Sequence, residues 1–384
     1  LRGPTKKRRA STPAFFRLAG DVPGMKFETL RITGLRCLNG VSVTPTAGIN
    51  VFVGANGAGK TSILEAAYLL SHGRSFRSGS RDVLLQRGAS SLAVFAEVSS
   101  LDGRTRRLGL GRESGRWQAR VDGDTAASLG SLVQECAVVC FEPGSHDLIA
   151  GASDERRRFL DWGLFHVEHA FVGQWRRYQR ALKQRNALLR TVGALDSSLI
   201  EPWESELAST GEAISSLRRG YLDRLLPHIQ AFMTNVLPEL GEFVIRYKPG
   251  WDESSDLATT LRERRFRDLG RGHTTAGPHR ADFSVAFEHA PLREHLSRGQ
   301  EKLCALACLL GQASLHAEIR GEWPVVCLDD LASELDRTHQ EWVVAQLTGR
   351  DVQVLVTGTE VPSALVDRPA TVFHVEQGAV TALL

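Results

Sequence analysis

Residues Gly48–Leu70 read "GINVFVGANGAGKTSILEAAYLL". A strand-sized, mostly apolar run, "INVFV", leads into a glycine-rich octet, "GANGAGKT" from Gly54 to Thr61, and then into a helix-forming segment. Strand, glycine loop and helix in that order are the context in which G-x-x-x-x-G-K-[ST] grips phosphate. Gly54, Gly57 and Gly59 free the backbone, so that N–H groups of the loop, Ala55, Asn56 and Ala58 included, can curl around phosphate oxygens. The start of the helix adds its partial positive charge. Lys60 is placed to reach the β- and γ-phosphates, and Thr61 to ligate Mg²⁺ through its hydroxyl.

A second stretch, "VCLDDLASELD" from Val326 to Asp336, runs an apolar strand into adjacent carboxylates. An acid at that place faces a phosphate loop and holds Mg²⁺, usually through water. Asp329 takes that role. Asp330 then orients or activates the attacking water, which makes it, with Lys60, a candidate catalytic residue. The cation and Lys60 offset the repulsion between the acids. The structural alternative is a pair of capping acids before the following helix.

Glycine loops of this kind serve GTPases, kinases, helicases and transport ATPases, but a guanine-reading N-K-x-D is absent. The discriminating segment is "LSRGQE", Leu296 to Glu301, where Ser297 starts a helix. Ser297 and the backbone around Gly299 present donors to an anion. The phosphate loop already surrounds its own nucleotide, so these donors suit a nucleotide held by another subunit. The implied assembly is a C2 dimer closed over two ATP molecules.

In the order phosphate loop, "LSRGQ", "CLDD", "SELD", the chain resembles the ABC/SMC-type ATPases, and within them the RecF family of bacterial DNA replication and repair. The match also rests on "GRSFRS" (Gly73–Ser78), "ERRRFLDWGLFHVE" (Glu155–Glu168), "ALKQRNALLR" (Ala181–Arg190) and "AGPHRADF" (Ala276–Phe283), and covers essentially Met25 to Leu384. The resemblance implies an α/β, ABC/SMC-like P-loop ATPase head with a mainly helical second lobe. The expected division is a tail at 1–24, the first part of the ATPase lobe at 25–145, a helical lobe at 146–275, and the remainder of the ATPase lobe at 276–384.

Carried over by resemblance, Gly54–Thr61 is the Walker A loop and Asp329 the Walker B acid. Ser297, Arg298, Gly299 and Gln300 form the signature that completes a partner's site. Ser333 to Asp336 form the D-loop, with Asp336 at the nucleotide. Asp330 stands where many relatives carry a Glu; it is one methylene shorter, which implies slow hydrolysis. Arg298 departs from the "LSGGQ" of transporters. "VVCFEPGSHDLI" has no Q-loop glutamine, and "LVTGTE" has no switch histidine, leaving Thr357 or Thr359 for that place. The family's association with single-strand/double-strand junctions, with RecR and RecO, and with placing RecA on gapped DNA comes from the resemblance alone.

Charge locates the candidate DNA surfaces. The 384 residues carry a net charge of +3. Arg2, Lys6, Lys7, Arg8, Arg9 and Arg17, against Asp21, place the excess in the first 24 residues. That segment lacks an apolar leader core and reads as disordered or as translated sequence upstream of the start, with a basic DNA-touching arm as the alternative. The rest is slightly acidic, so DNA affinity there needs local patches. Phe171–Leu195 has basic residues and no acid; Arg176, Arg180 and Lys183 share one helical face, while Trp175, Tyr178, Leu182 and Leu189 form an apolar seam. A second patch includes Arg104, Arg106 and Arg107 on expected hairpins around Asp102-Gly103 and Ser114-Gly115. A third, Arg262, Arg264, Arg265, Arg267 and Arg271, is diluted by Glu263 and Asp268 and reads as a solvated helix. No groove-reading motif and no interleaved stacking aromatics are present, so binding follows backbone and shape.

No apolar run approaches the ~20 residues that span a bilayer. Six scattered cysteines without C-x-x-C point to a reduced, cytoplasmic setting, with Cys304 and Cys308 as core thiols. The leading reading is an ATP-driven dimer that clamps gapped or junction DNA, hydrolyses ATP slowly under DNA stimulation, and helps load a recombinase. The alternatives are an ATPase subunit energising a transporter and a nucleotide-stabilised DNA scaffold without hydrolysis. The long insertion between Thr61 and Leu296 argues against the transporter.

Overall fold

The computed structural model describes residues 22–77, 81–191 and 197–383. Its strands begin with β1 (Lys26–Thr33), β2 (Val41–Val43), β3 (Ile49–Val53), β4 (Ser91–Ser99), β5 (Thr105–Glu113), β6 (Arg116–Val121) and β7 (Asp124–Thr125). They continue with β8 (Val138–Phe141), β9 (Phe243–Lys248), β10 (Asp282–Phe287), β11 (Val325–Leu328), β12 (Val354–Gly358), β13 (Ala370–Glu376) and β14 (Ala379–Leu383). The helices begin with α1 (Lys60–His72), α2 (Leu129–Val133), α3 (Asp147–Ala150), α4 (Ser153–Val167), α5 (His169–Leu189) and α6 (Ser197–Val236). They end with α7 (Leu257–Glu263), α8 (Arg265–Arg271), α9 (Arg298–Arg320), α10 (Leu331–Glu334) and α11 (Arg337–Leu347).

One sheet has the order β14-β13-β3-β12-β11-β8 and is parallel except for the β13–β14 pair. Every residue of β3, β8, β11 and β12 is buried, as expected of parallel strands covered on both faces. The other six-stranded sheet, β2-β1-β4-β5-β6-β7, is antiparallel, and β4 alternates between buried and partly exposed positions, as a sheet with one wet face does. Its hairpins turn where the sequence places them. Ser114 and Gly115 both have positive φ, 48° and 79°, the requirement of a two-residue turn that matches strand twist.

The parallel sheet puts the phosphate loop and the acids at the same edge. β3 ends at Val53, just before Gly54, and β11 ends at Leu328, just before Asp329, with β12 between them. Ligands of open α/β sheets sit outside such carboxyl ends.

Between Ser153 and Arg271 the described residues are mostly helical, interrupted by β9 and the loops around it. The 40-residue α6 is its spine, packed on α5 and α9. It runs from Ser197 to Val236 with Pro202 and Pro227 inside it. At Gly311 of α9 an added Cβ would meet the Ile229 backbone at 3.0 Å, so the two long helices cross in backbone contact. The segment "LATTLRERRFRDLGRG", expected as one helix, is two, separated at Arg264. The break leaves the Leu261 carbonyl free to accept from Arg185 Nη2, and turns Asp268 onto Arg185 Nη1 at 2.7 Å. In α5, Tyr178 and Leu189 are buried as expected, but Trp175 leaves the apolar seam and is 39% exposed.

Residues 1–21 of the expected tail lie outside the described residues; Pro23 and Met25 are bonded to Trp323 through the backbone. Cys136, Cys140, Cys304, Cys308 and Cys327 are buried and free, and Cys37 is exposed.

Candidate nucleotide site

The phosphate loop has the backbone that its glycines predict. Gly57 and Gly59 have φ of 80° and 116°, a region that side chains rarely tolerate. Helix α1 starts at Lys60 with no side-chain cap and no acid in its first turn. The Ser62 N–H turns back to the Gly59 carbonyl at 3.0 Å, and no side chain caps the amides of Lys60 and Thr61, the condition of an anion site at a helix start. Lys60 folds back over the loop, donating to the carbonyls of Gly54 at 2.7 Å and Ala55 at 2.8 Å. Burial lowers its pKa, against the pull of Asp330 and Asp329.

Thr61 Oγ1 donates to Asp329 Oδ1 at 2.9 Å. Thr357 Oγ1 donates to the same oxygen at 2.6 Å and accepts from the Asp330 N–H at 2.8 Å. Burial raises the pKa of Asp329, while the two hydroxyls and Arg77 oppose the rise. The donor set of one hydroxyl and one carboxylate fits Mg²⁺, which takes its remaining ligands from phosphate and water. Asp330 has φ 51° and ψ 44°, a left-handed conformation that Asp tolerates better than most residues. It occupies the N-cap position of α10, yet its side chain makes no cap bond. The capping alternative therefore fails for its carboxylate, which is left over for another partner.

Thr357 is buried, with its hydroxyl committed to both acids, whereas Thr359 is exposed. Of the two residues weighed for the switch position, Thr357 is the one at the acids. Sequence reading missed Glu142. The β8–β11 register pairs Phe141 with Leu328, and the Asp329 N–H donates to the Phe141 carbonyl, so Glu142 stands beside Asp329. Burial pushes its carboxyl up to about 7, opposed by the Gly144 N–H and assisted by the neighbouring acids Asp329, Asp147 and Glu334. The acid lies in the segment where no glutamine was found. Its only sequence signal was a charged residue straight after an apolar run.

The signature residues Ser297, Arg298 and Gly299 are exposed at the start of α9. Ser297 Oγ accepts from the Gln300 N–H, and Gln300 Oε1 accepts from the Ser297 N–H, a capping box. Gln300 Nε2 donates to Glu239 at 3.2 Å. None of these bonds reaches the phosphate loop of the same chain. Lys302, one turn on, pairs with Glu334 at 2.8 Å and ties the signature helix to α10. Asp336 caps α11, accepting from the His339 N–H at 3.0 Å, and that bond lowers its pKa.

The basic surfaces divide. Arg180 and Lys183 of α5 are exposed, and Arg176 donates to Ser128 Oγ at 2.9 Å. The hairpin arginines have acidic neighbours that sequence order hid. Arg106 pairs with Asp122 and Glu135, Arg107 with Glu97, and Arg104 with Asp102. Two of the segments shared with the resembled family serve the framework. Arg156 of "RRRFLDWG" clamps Asp282 at the start of β10, and His279 of "GPHR" accepts from the Tyr178 hydroxyl at 2.6 Å while its Nε2–H donates to the Thr274 carbonyl.

Comparison with known proteins agrees with this geometry. The sequence model of the RecF/RecN/SMC N terminal domain matches residues 26–381. A curated relative from Stenotrophomonas maltophilia (strain R551-3), the DNA replication and repair protein RecF, is 48% identical over 365 residues, covering 94% of this chain and 100% of the relative. The chain belongs to the RecF family. RecF of Pseudomonas syringae pv. syringae (strain B728a) is 38% identical, with 93% of this chain and 98% of the relative covered. A solved structure of the recombination mediator protein RecF with ATP, in the RecFOR pathway, superposes with a TM-score of 0.86 at 26% identity, covering 94% of this chain and 98% of that one. The Smc head domain of Pyrococcus furiosus, at 16% identity and a TM-score of 0.53, shares the fold, with 94% of this chain and 96% of that one covered. The RecF-family chain is thus an ABC/SMC-like α/β protein in architecture as well as in motif.

Proposed function

We propose that this RecF-family chain binds ATP with Mg²⁺ between Gly54–Thr61 and Asp329, and that ATP closes two copies of it over DNA. The observation that carries the reading is the exposed signature. Ser297 and Gln300 are prearranged by their capping box, and no bond links them to the chain's own phosphate loop. A second copy, related by a two-fold axis, supplies the missing half of each site, so closure is isologous. The division into an ATPase lobe (25–145 and 276–384) and a helical lobe (146–275) belongs to the same proposal.

Lys60 neutralises charge on the β- and γ-phosphates, Thr61 and Asp329 would hold a Mg²⁺ that would share that task, and Asp330 orients the attacking water. Its side chain is short for that task, so turnover is slow. Loss of the γ-phosphate removes the adhesive, and the halves part. DNA lies against Arg176, Arg180 and Lys183, whose charges meet phosphates without reading bases. The hairpin residues Arg104, Arg106 and Arg107 contribute less, because acids already hold them. A relative solved with ATP is a recombination mediator of the RecFOR pathway, which supports a role beside RecR and RecO; gapped or junction DNA as the substrate and recombinase loading as the outcome belong to the same proposal. The transporter reading is not favoured, because the curated relatives are DNA replication and repair proteins.

Sedimentation with and without ATP tests the proposal. Unaltered protein shifts from monomer to dimer with ATP and Mg²⁺. Ser297→Ala binds ATP with unchanged affinity and stays monomeric. ATP-dependent dimers of undiminished affinity in that variant remove the trans-signature from the reading.

A further inference from the structure

Among the described residues Phe266 is the most exposed large apolar side chain, at 88%. It lies on α8, and the fold holds that short helix firmly. Asp268 is fully buried, takes Arg185 Nη1 at 2.7 Å, and accepts from the Thr275 N–H and hydroxyl at 3.1 and 2.6 Å. Two residues of helix turn the side chain through about 200°, so Phe266 projects away from that anchor. One turn further on is Gly270, where an added Cβ would meet nothing within 4 Å. The ring therefore has open space beside it.

Around Phe266 the acids are arranged differently from their sequence order: Glu263 is exposed, and Glu204 and Glu201 reach Arg265. Asp268, which dilutes the third basic patch on paper, is withdrawn into the interior by Arg185. Arg267 and Arg271, on one flank of α8, are exposed and have no recorded side-chain bond among the described residues. Arg265, on the other flank, is held by Glu204 at 2.6 Å. The patch also joins the α5 surface. Arg190 Nε donates to the carbonyl of Gly272, the C-cap of α8, at 3.1 Å. Arg176, Arg180, Lys183 and Arg190 follow 4-3-7 spacing along α5, so Arg190 brings that stripe to the C-terminal end of α8, next to Arg271.

We propose that Phe266, flanked by Arg267 and Arg271, is a stacking site for an unpaired nucleobase at the end of this basic track. Phosphates satisfy the arginines, and an aromatic base face satisfies the ring. In duplex DNA the base faces are covered by their neighbours, so the site takes the single-stranded side of a junction. This rests on the DNA-binding reading above and adds to it a polarity: duplex along α5, unpaired strand at α8.

The test uses the full chain with ATP and three probes: a blunt duplex, oligo(dT), and a duplex with a single-stranded overhang carrying 2-aminopurine at its first unpaired positions. Phe266→Ala binds the duplex within about twofold of the unaltered protein. It binds oligo(dT) and the overhang roughly 5- to 100-fold more weakly, and the 2-aminopurine quench is lost. Phe266→Trp keeps both. The double variant Arg180→Ala/Lys183→Ala weakens all three probes together. If that variant loses DNA while Phe266→Ala binds every probe normally, stacking is overturned and DNA binding stands. Equal loss on duplex and overhang also overturns it, as does normal DNA binding accompanied by altered self-association, which assigns the ring to a protein contact. If the unaltered protein binds none of the probes, the underlying reading fails first.

Discussion

Thr61 and Asp329, 268 residues apart in sequence, meet through a 2.9 Å hydrogen bond at the mouth of the parallel sheet. The bond spans the first residues of α1 and the end of β11, the two places where a nucleotide's cation would be gripped. A third residue, Thr357 at the end of β12, spans both acids with one hydroxyl. The two strand ends and the start of α1 therefore make one polar unit.

The Thr357 hydroxyl supports the acid pair. Thr357→Val removes a donor from Asp329 and an acceptor from the Asp330 N–H in a buried place, at a cost of about 1–3 kcal/mol. The nucleotide-free protein should melt lower, Thr357→Ser should restore it, and ATP turnover should fall at least tenfold with affinity changed less than threefold. A residue that senses only the γ-phosphate would leave the nucleotide-free melting point where it is.

Glu142 makes stability fall as pH rises. Its folded-state carboxyl titrates near 7 because of burial, above an unfolded value near 4.5. Between those values the folded state holds a proton that the unfolded state has lost, so the contribution is full below about pH 4.5 and is gone above about 7. The 2.5-unit gap corresponds to at most about 3 kcal/mol. Glu142→Gln should flatten the fall between pH 5 and 7.5 in urea melts of nucleotide-free protein. A slope identical to that of the unaltered protein would assign the pH dependence elsewhere.

Motif order and strand patterning located the glycine loop, the strand that runs into Asp329 and Asp330, and the hairpins of β4 to β6, because a buried strand and a glycine loop leave local signatures. What stayed hidden depends on register and side-chain reach. Glu142 is adjacent to Asp329 only through the β8–β11 pairing, and Thr357 serves both acids only because β12 lies between β3 and β11. In sequence the hairpin arginines are opposed only by Glu113, because Glu97, Asp122 and Glu135 reach them from other strands and turns. Asp268 looked like surface charge, although Arg185, far away in sequence, draws it inside.

His279 gives the opposite pH sign. Burial holds its imidazole down to about 4, and its Nδ1 is occupied by the Tyr178 hydroxyl. An unfolded histidine protonates near 6.5, so the contribution is whole above that value and is lost as pH falls toward 4. Tyr178→Phe should lower stability by about 1 kcal/mol at neutral pH and less below about pH 4, where the folded imidazole charges. Chemical-shift titration of His279 showing a midpoint near 6.5 would contradict the buried, neutral assignment.

Arg185 is the strongest single test of the helical region. Its guanidinium is fully buried and serves Glu204, Asp268, Thr274 and the Leu261 carbonyl. Arg185→Met keeps much of the volume but strands Asp268 with only the Thr275 donors, and an uncompensated buried charge costs about 3–5 kcal/mol. Glu204 suffers less, since Arg265 still holds it. The loss should therefore be recovered in large part by the double variant Arg185→Met/Asp268→Asn, which removes the stranded charge. Because Asp268 anchors α8, the single variant should also weaken binding to the single-stranded probe while leaving ATP affinity intact. A destabilisation below about 1 kcal/mol, or no rescue by the second substitution, would show that α8 is held by packing instead of by this buried pair.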